Sequence, residues 1–223
     1  MIPLRDKNPT HIFPFVNLTL IGLNLGVFAY QISLGAAVET LYQHYGLIPA
    51  HLVGLINAPS LDPRILATVL SSLFLHGGWL HMGGNMLFLW VFGDNIEDKL
   101  GHYRYAFFYF ACGIAASLAH VIVNPHSMVP TIGASGAISG VLGAYLLLFP
   151  KARIVTLIPI FFFIQLAELP ALVVLGLWFI IQFLYGMASL GDETAAATGV
   201  AWWAHVGGFL AGSVLIFPLR KFK

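Results

Sequence analysis

Long apolar segments separated by short polar stretches recur along the whole of this sequence. A helix needs about 20 consecutive apolar residues to cross a bilayer, and six segments come close to that length or reach it. The predicted spans are 14–35, 79–96, 104–123, 131–149, 169–187 and 200–217. The pattern therefore predicts an all-α membrane protein with six transmembrane helices.

Two connecting segments need separate interpretation. The apolar run from Ile154 to Leu166 would reach only about 20 Å as a helix, less than the roughly 30 Å of a hydrocarbon core. Its aromatic residues suit the membrane interface, so we predict that it lies there and does not span. Residues 36–66 mix apolar stretches with prolines and acidic residues, which predicts a structured, partly embedded outer loop after the first helix.

The composition agrees with a membrane location. Hydrophobic residues make up 59% of the 223 residues and charged residues 9%, whereas a typical soluble domain is about 25% charged. We predict one membrane domain over residues 1–223, in contact with lipid and without a separate soluble domain. The net charge of +1 offers no basic face for nucleic acid. Since no phosphate-binding loop or paired metal-ligand motif is present, we also expect no metal and no cofactor.

The basic residues test the number of spans, because short cytoplasmic loops collect Lys and Arg. With the N-terminus inside, Arg64 is the only basic residue placed outside. The residues placed on the cytoplasmic side are Arg5, Lys7, Lys99, Arg104, Lys151, Arg153, Arg220, Lys221 and Lys223. A seventh span would scatter them, so we predict six spans with both termini in the cytoplasm.

Four polar residues stand inside the predicted spans, where polar groups are costly and need a partner or a purpose. His81 and Asn85, in HGGWLHMGGNM, are four residues apart and share one face of the second span. Ser135 begins the fourth span in TIGASGAISGVLGAY, and His205 begins the sixth in WWAHVGGFLAG. The predicted topology places all four at similar depth in the outer half of the membrane. Taken singly, each could be a buried residue that only hydrogen-bonds a neighbouring helix.

Glycines occupy two kinds of position in these motifs. Gly133 and Gly136 flank Ser135 closely and would let a substrate backbone come near it. Small residues spaced by four, which let transmembrane helices pack closely, are Gly136 with Gly140 and Gly208 with Gly212.

The polar residue types suit hydrolysis by nucleophilic attack. A serine hydroxyl is a weak nucleophile until a nearby base takes its proton, and a neutral imidazole can do so near neutral pH. We therefore predict that Ser135 and His205 form a catalytic pair. Attack on an amide produces an oxyanion that must meet hydrogen-bond donors already in place. The Asn85 amide, His81 and the Ser135 backbone N–H are the predicted donors.

No carboxylate is evidently placed to orient His205. Asp192 and Glu193 fall in a polar outer loop, and Glu168 falls at the opposite, cytoplasmic end. The sequence therefore predicts a Ser-His dyad in place of a Ser-His-Asp triad.

At these residues the sequence resembles the rhomboid family of intramembrane serine proteases. The resemblance rests on GASG around Ser135, on His81 and Asn85 with their three-residue gap, and on AHVGG around His205. It covers essentially the whole chain, in order. It implies that Ser135 is the nucleophile and His205 its base, and that His81 and Asn85 support the oxyanion.

The resemblance also suggests supporting roles for two other residues and shows one departure. His76, in the outer segment, and Glu97, in GDNIEDKLG, are expected to make local hydrogen bonds. Some bacterial rhomboids carry, at the position of Ser139, a tyrosine that packs on the catalytic imidazole. We expect Trp202, Trp203 or another aromatic residue to hold the His205 ring here.

The function that the resemblance implies is cleavage of transmembrane or membrane-adjacent segments of other membrane proteins. Family members favour small residues at the cut and helices that unwind readily. The compact six-span form resembles prokaryotic members, which predicts the cell membrane as location and a site open to the outer side. Two alternatives are a non-catalytic relative that binds transmembrane clients, and a small transporter or channel that uses the histidines as a relay.

Overall fold

In a computed structural model, the chain forms a bundle of long helices with a small sheet at one end. The structure describes residues 1–57, 62–160, 163–190 and 200–220. The helices in this part are α1 (Phe15–Ser33), α2 (Val38–Tyr45), α3 (Pro49–Asn57), α4 (Pro63–Ser71), α5 (Trp79–Leu100), α6 (His102–Val123), α7 (Ser135–Leu148), α8 (Ala171–Ala188) and α9 (Trp202–Leu219). The strands are β1 (Ile2–Asp6), β2 (Arg153–Ile160) and β3 (Phe163–Pro170).

Each predicted span corresponds to one helix, namely α1 or one of α5–α9. Helices α1, α6, α8 and α9 are individually long and apolar enough to cross a membrane. Helix α5 ends in a charged stretch and meets this criterion only together with the preceding segment Pro63–Phe74, to which it is bent by 80°. The chain is therefore an integral membrane protein of mainly helical class, as predicted, and six crossings are consistent with its helices.

The fourth predicted span is shorter than expected. Helix α7 begins at Ser135 and has 14 residues, about 21 Å, because residues 131–134 are not helical. Thr131 instead pairs with Leu47 as an isolated β-bridge, and the Gly133 N–H donates to the Ser72 carbonyl at 2.8 Å. These backbone bonds fix the segment before α7 and make Ser135 the first residue of the helix.

The described residues of the segment Ile154–Leu166, which leave out 161–162, lie in two β-strands. Strands β2 and β3 pair antiparallel, and β1 adds to the other edge of β2. The prediction that this segment is not a spanning helix is correct, but the sheet itself was not predicted. Its β-branched and aromatic residues favour strands. Lys7 bonds Glu168 at 2.5 Å and thereby lowers the pKa of that exposed carboxyl. The position of these strands at the membrane interface stays a prediction.

Contacts at the sheet end of the bundle agree with the charge count. The Arg104 guanidinium donates to the Leu219 carbonyl at 3.0 Å, which joins the start of α6 to the end of α9. The Lys99 ammonium lies 5.5 Å from the centre of the Phe149 ring, which joins the ends of α5 and α7. Basic residues from distant parts of the sequence therefore gather at one end. Which side of the membrane this end faces stays a prediction.

The connection after α1 is structured, as predicted. It contains α2, α3 and α4, while residues 58–61 lie outside the described part. Leu47, Leu52, Leu55 and Val121 form a small apolar cluster that packs this connection against the C-terminal end of α6. The connection therefore rests on the bundle at the end where α7 begins.

Glycines allow α7 and α9 to pack closely; their spacing predicted close packing of each helix but not that the two would pack together. A Cβ atom at Gly208 would overlap the carbonyl oxygen of Gly136, and one at Gly212 would overlap that of Gly140. The two helices are in backbone contact at these positions, which no larger residue permits.

We expect Gly208→Ala to lower the free energy of unfolding by about 1–3 kcal/mol, because the added methyl group must push the two helices apart. Thermal unfolding of the purified protein in detergent measures this change. Gly176→Ala on α8 is the matched control, since a Cβ there meets no atom within 4 Å. Equal stability of the two variants would contradict the close α7–α9 contact.

Candidate active site

The structure brings Ser135 and His205 together, although 70 residues separate them in sequence. Ser135 is the first residue of α7, and His205 lies in the first turn of α9. The Ser135 Oγ and the His205 Nε2 are 2.8 Å apart, which is hydrogen-bond distance. Both side chains are half-buried, so the pair is enclosed by helices without being sealed off.

The glycine contact explains why these two residues meet. Gly136 follows Ser135 directly, and Gly208 lies about one turn after His205. Because the backbones touch at Gly136 and Gly208, the first turns of α7 and α9 are held within side-chain reach of one another.

Both His81 and Ser135 lie close to Gly133. A Cβ atom at Gly133 would be 2.7 Å from the His81 Nε2 and 3.6 Å from the Ser135 Oγ. Gly133 also has a φ of 126°, which L side chains rarely adopt. The Gly77 N–H donates to the His81 Nδ1 at 3.3 Å, so the neutral ring carries its proton on Nε2. His81 thus presents an N–H donor on the side of Gly133 and Ser135.

Asn85 lies one turn beyond His81 on the same face of α5 and is only 8% exposed. Its side-chain Nδ2 has no hydrogen-bond partner among the described residues. The start of α7 adds to these donors, because the first N–H groups of a helix have no partner within it and carry partial positive charge. The three predicted oxyanion donors therefore lie around the start of α7 and the first turns of α5.

His76 is fully buried beside His81, with ring centres 5.1 Å apart. Its backbone is tied to α1 and α2: the His76 N–H donates to the Gln31 side chain at 3.1 Å, and Gln31 and Tyr42 donate to the His76 carbonyl. Its Nδ1 lies 3.3 Å from the Phe74 carbonyl. The expected local hydrogen bonding is present.

Glu97 stands at the opposite end of α5 and is fully buried. Its carboxylate accepts from the Val16 and Asn17 N–H groups at 2.9 and 2.7 Å, and it lies 2.5 Å from the His102 Nδ1. It therefore caps the start of α1, a structural role remote from Ser135 and consistent with the expectation of local hydrogen bonding.

Two tryptophans contact the His205 ring. The ring centre of Trp202, one of the predicted alternatives, lies 6.2 Å from that of His205, and the two ring planes are nearly perpendicular. The ring centre of Trp178, on α8, lies 5.8 Å from that of His205. Trp203 instead packs against Phe183. Ser139 donates to the Ser135 carbonyl at 2.6 Å and does not contact the imidazole through any described hydrogen bond. The support of the ring therefore comes from α8 and α9.

The residue that sequence reasoning missed is Gln182 on α8, whose Oε1 lies 2.8 Å from the His205 Nδ1. The signal was available, because Gln182 is a strongly polar residue inside an apolar span and so needs a partner. Among the described residues no carboxylate contacts His205. Glu168 bonds Lys7 at the far end, and Asp192 and Glu193 lie outside the described residues.

A comparison with known proteins matches the region of the chain that contains these residues. The model of the Rhomboid domain family matches residues 63–222 of this chain. The chain belongs to the rhomboid family. The matched region includes α5–α9 and hence every residue of the candidate site.

Individual rhomboid relatives match stretches of different lengths. The chain is 32% identical over 163 residues to Rhomboid protein 1, mitochondrial, of Saccharomyces cerevisiae, covering 69% of this chain and 42% of that protein. It is 41% identical over 78 residues to Rhomboid protease GluP of Bacillus subtilis, covering 35% and 15%. It is 30% identical over 123 residues to Inactive rhomboid protein 1 of Drosophila melanogaster, covering 55% and 8%. The chain spans less than half the length of each of these relatives.

A small cavity opens beside Ser135 in this rhomboid. Its wall is made mainly of small residues, including Ser72, Gly113, Ser117, Thr131, Gly133 and Ala204. Several of them carry hydroxyl groups, so the cavity suits water or a small side chain rather than a bulky one.

Proposed function

We propose that this rhomboid is an intramembrane serine endopeptidase that cleaves transmembrane or membrane-adjacent segments of other membrane proteins. The observation that carries the proposal is the 2.8 Å contact between the Ser135 Oγ and the His205 Nε2 within a bundle of apolar helices. A serine paired with an imidazole is the arrangement that activates a hydroxyl for attack on an amide.

In the proposed reaction the Ser135 Oγ attacks the peptide carbonyl carbon while its proton passes to the His205 Nε2. The imidazolium then gives that proton to the departing amine nitrogen as the C–N bond breaks, leaving an ester on Ser135. Water, deprotonated by His205, attacks the ester and releases the acid, with the proton returned to Ser135.

The developing oxyanion would be stabilised by the donors around the start of α7. The Asn85 amide, the His81 Nε2–H and the Ser135 backbone N–H supply three hydrogen bonds, and the positive end of α7 adds a favourable field. Gly133 and Gly136 leave room for the substrate backbone, and His76 supports His81 from behind.

The substrate must be extended at the cut, because a helix hides its carbonyls in internal hydrogen bonds. The small-walled cavity beside Ser135 supports a preference for small residues next to the scissile bond. The proposal places the site on the outer side of a prokaryotic cell membrane, with both termini cytoplasmic and one membrane domain over residues 1–223.

The test is cleavage in liposomes that contain the purified protein and a single-span substrate with alanine and glycine near its outer end. We expect two fragments from this substrate and much slower cleavage of a matched substrate with leucine at those positions. An intact substrate under all conditions would contradict the proposal. It would favour a non-catalytic role, as the name of the Drosophila relative suggests for that protein, and a proton flux in the same liposomes would favour a transporter.

We expect Asn85→Ala to lower kcat by about 100-fold with little change in KM, because a donor to the oxyanion acts mainly in the transition state. Cleavage kinetics in the same liposomes measure this change. Asn124→Ala is the control, since among the described residues the Asn124 side chain bonds only His120 at the end of α6. An equal loss of kcat in the two variants would argue against the assigned role of Asn85.

A further inference from the structure

Gln182 is the only amide or charged residue in α8, whose other residues are apolar, aromatic or glycine. It is 6% exposed and points into the bundle, where it meets His205. Burying an amide among apolar helices is unfavourable unless its groups are hydrogen-bonded. Both ends of the Gln182 amide have partners.

These partners fix the orientation of the amide. The Gln182 Nε2 donates to the Trp178 carbonyl, one turn earlier in α8, at 3.3 Å. A carbonyl oxygen can only accept, so this end of the amide must be the NH₂ group. The opposite end is therefore Oε1, and it lies 2.8 Å from the His205 Nδ1.

The orientation of the amide in turn fixes the proton on the imidazole. Because Oε1 can only accept, the His205 Nδ1 must carry a hydrogen. In a neutral imidazole the other nitrogen, Nε2, then presents a lone pair, and Nε2 is the atom 2.8 Å from the Ser135 Oγ. The chain of contacts from Trp178 to Ser135 thus leaves His205 in the one neutral form that can accept the serine proton.

We infer that Gln182 is a positioning residue for His205, which sets its tautomer and ring orientation through the Nδ1–H bond. Gln182 orients the imidazole as a buried aspartate does in a Ser-His-Asp triad. It does so without adding a charge inside the membrane, where a carboxylate would be costly. Trp178, on the same face of α8, also packs against the His205 ring, with the two ring centres 5.8 Å apart. This inference rests on the proposed protease function.

Three variants separate this role from simple packing. Gln182→Met keeps the length of the side chain and removes the carbonyl acceptor, whereas Gln182→Glu keeps an acceptor and adds a charge. Leu184→Met, at an exposed position of α8, is the control for the same substituted residue. The other titratable groups near His205 are His81 on α5 and His120 on α6, and all variants retain them.

The measurement is the rate of covalent labelling of Ser135 by a fluorophosphonate between about pH 5 and pH 9, together with kcat and KM for cleavage. We expect Gln182→Met to lower both the labelling rate and kcat by about 10- to 100-fold, with KM within about threefold, as for loss of a buried hydrogen-bond partner. Gln182→Glu should recover most of the rate at high pH. In this variant the fall of the labelling rate and of kcat toward low pH should begin at a higher pH than in the wild type, because a carboxylate holds the proton on the imidazole. Leu184→Met should match the wild type.

Two results would overturn the inference while leaving the proposed function intact: wild-type rates in Gln182→Met, or a Gln182→Glu variant as slow as Gln182→Met with an unshifted pH profile. If Gln182→Met fails to fold, the pH profile of Gln182→Glu decides alone: a shifted profile supports the inference and an unshifted one overturns it. Failure of the wild type itself to be labelled would instead contradict the proposed function.

Discussion

Replacing Ser135 by alanine is expected to lower the rate of substrate cleavage by at least about 10,000-fold, to the level of background. The hydroxyl is the only group that the proposed mechanism uses to attack the peptide carbonyl, and removing a serine nucleophile has effects of this size or larger in serine proteases. Cleavage of the single-span substrate in liposomes measures the change. The variant should remain folded, because the hydroxyl contributes one hydrogen bond in a half-buried position.

The control for this variant is Ser139→Ala, which removes a hydroxyl one turn further along the same helix. Ser139 donates only to the Ser135 carbonyl within α7, so we expect its cleavage rate to stay within about threefold of the wild type. Substantial cleavage by Ser135→Ala would exclude Ser135 as the nucleophile. A loss as large in Ser139→Ala would show that the helix, rather than the hydroxyl of Ser135, had been tested.

His205→Ala is expected to lower kcat by about 10,000-fold, because Ser135 would lose the base that accepts its proton. The labelling of Ser135 by a fluorophosphonate should slow as well, since the same proton transfer activates the hydroxyl. Cleavage assays stopped at successive times measure kcat, and time courses of labelling measure the rate at which Ser135 is modified.

His126→Ala serves as the matched control for His205, because His126 is exposed in the connection between α6 and α7. It should behave as the wild type in both assays. If His205→Ala kept more than about a tenth of the wild-type kcat, another residue would have to act as the base, and the assignment of His205 would be wrong.

The meeting of the site residues could be predicted from the sequence because two independent patterns agree. The placement of Lys and Arg set the direction in which each helix runs, and the motifs then put His81, Ser135 and His205 near the starts of helices that run the same way. The structure places these three residues at the starts of α5, α7 and α9. The spacing of small residues predicted close helix packing at Gly136 and at Gly208, but not that these two residues contact each other.

Other features depend on tertiary contacts that the patterns do not contain. The start of α7 at Ser135 is set by backbone bonds to Leu47 and Ser72, which lie far away in sequence. The pairing of β1 with β2 joins the N-terminus to the segment after α7, and an apolar run carries no sign of its strand partner. Gln182 was missed for a different reason: it is the same kind of costly intramembrane polar residue as the others but stands outside any recognised motif.

The central claim is that Ser135 is a nucleophile activated by His205, and covalent labelling by a fluorophosphonate tests it most directly because no natural substrate is needed. Purified wild-type protein in detergent should be labelled once per chain, with the adduct on Ser135 by peptide mass analysis, and Ser135→Ala should not be labelled. Absence of labelling in a folded wild-type protein, or equal labelling of Ser135→Ala, would contradict the account.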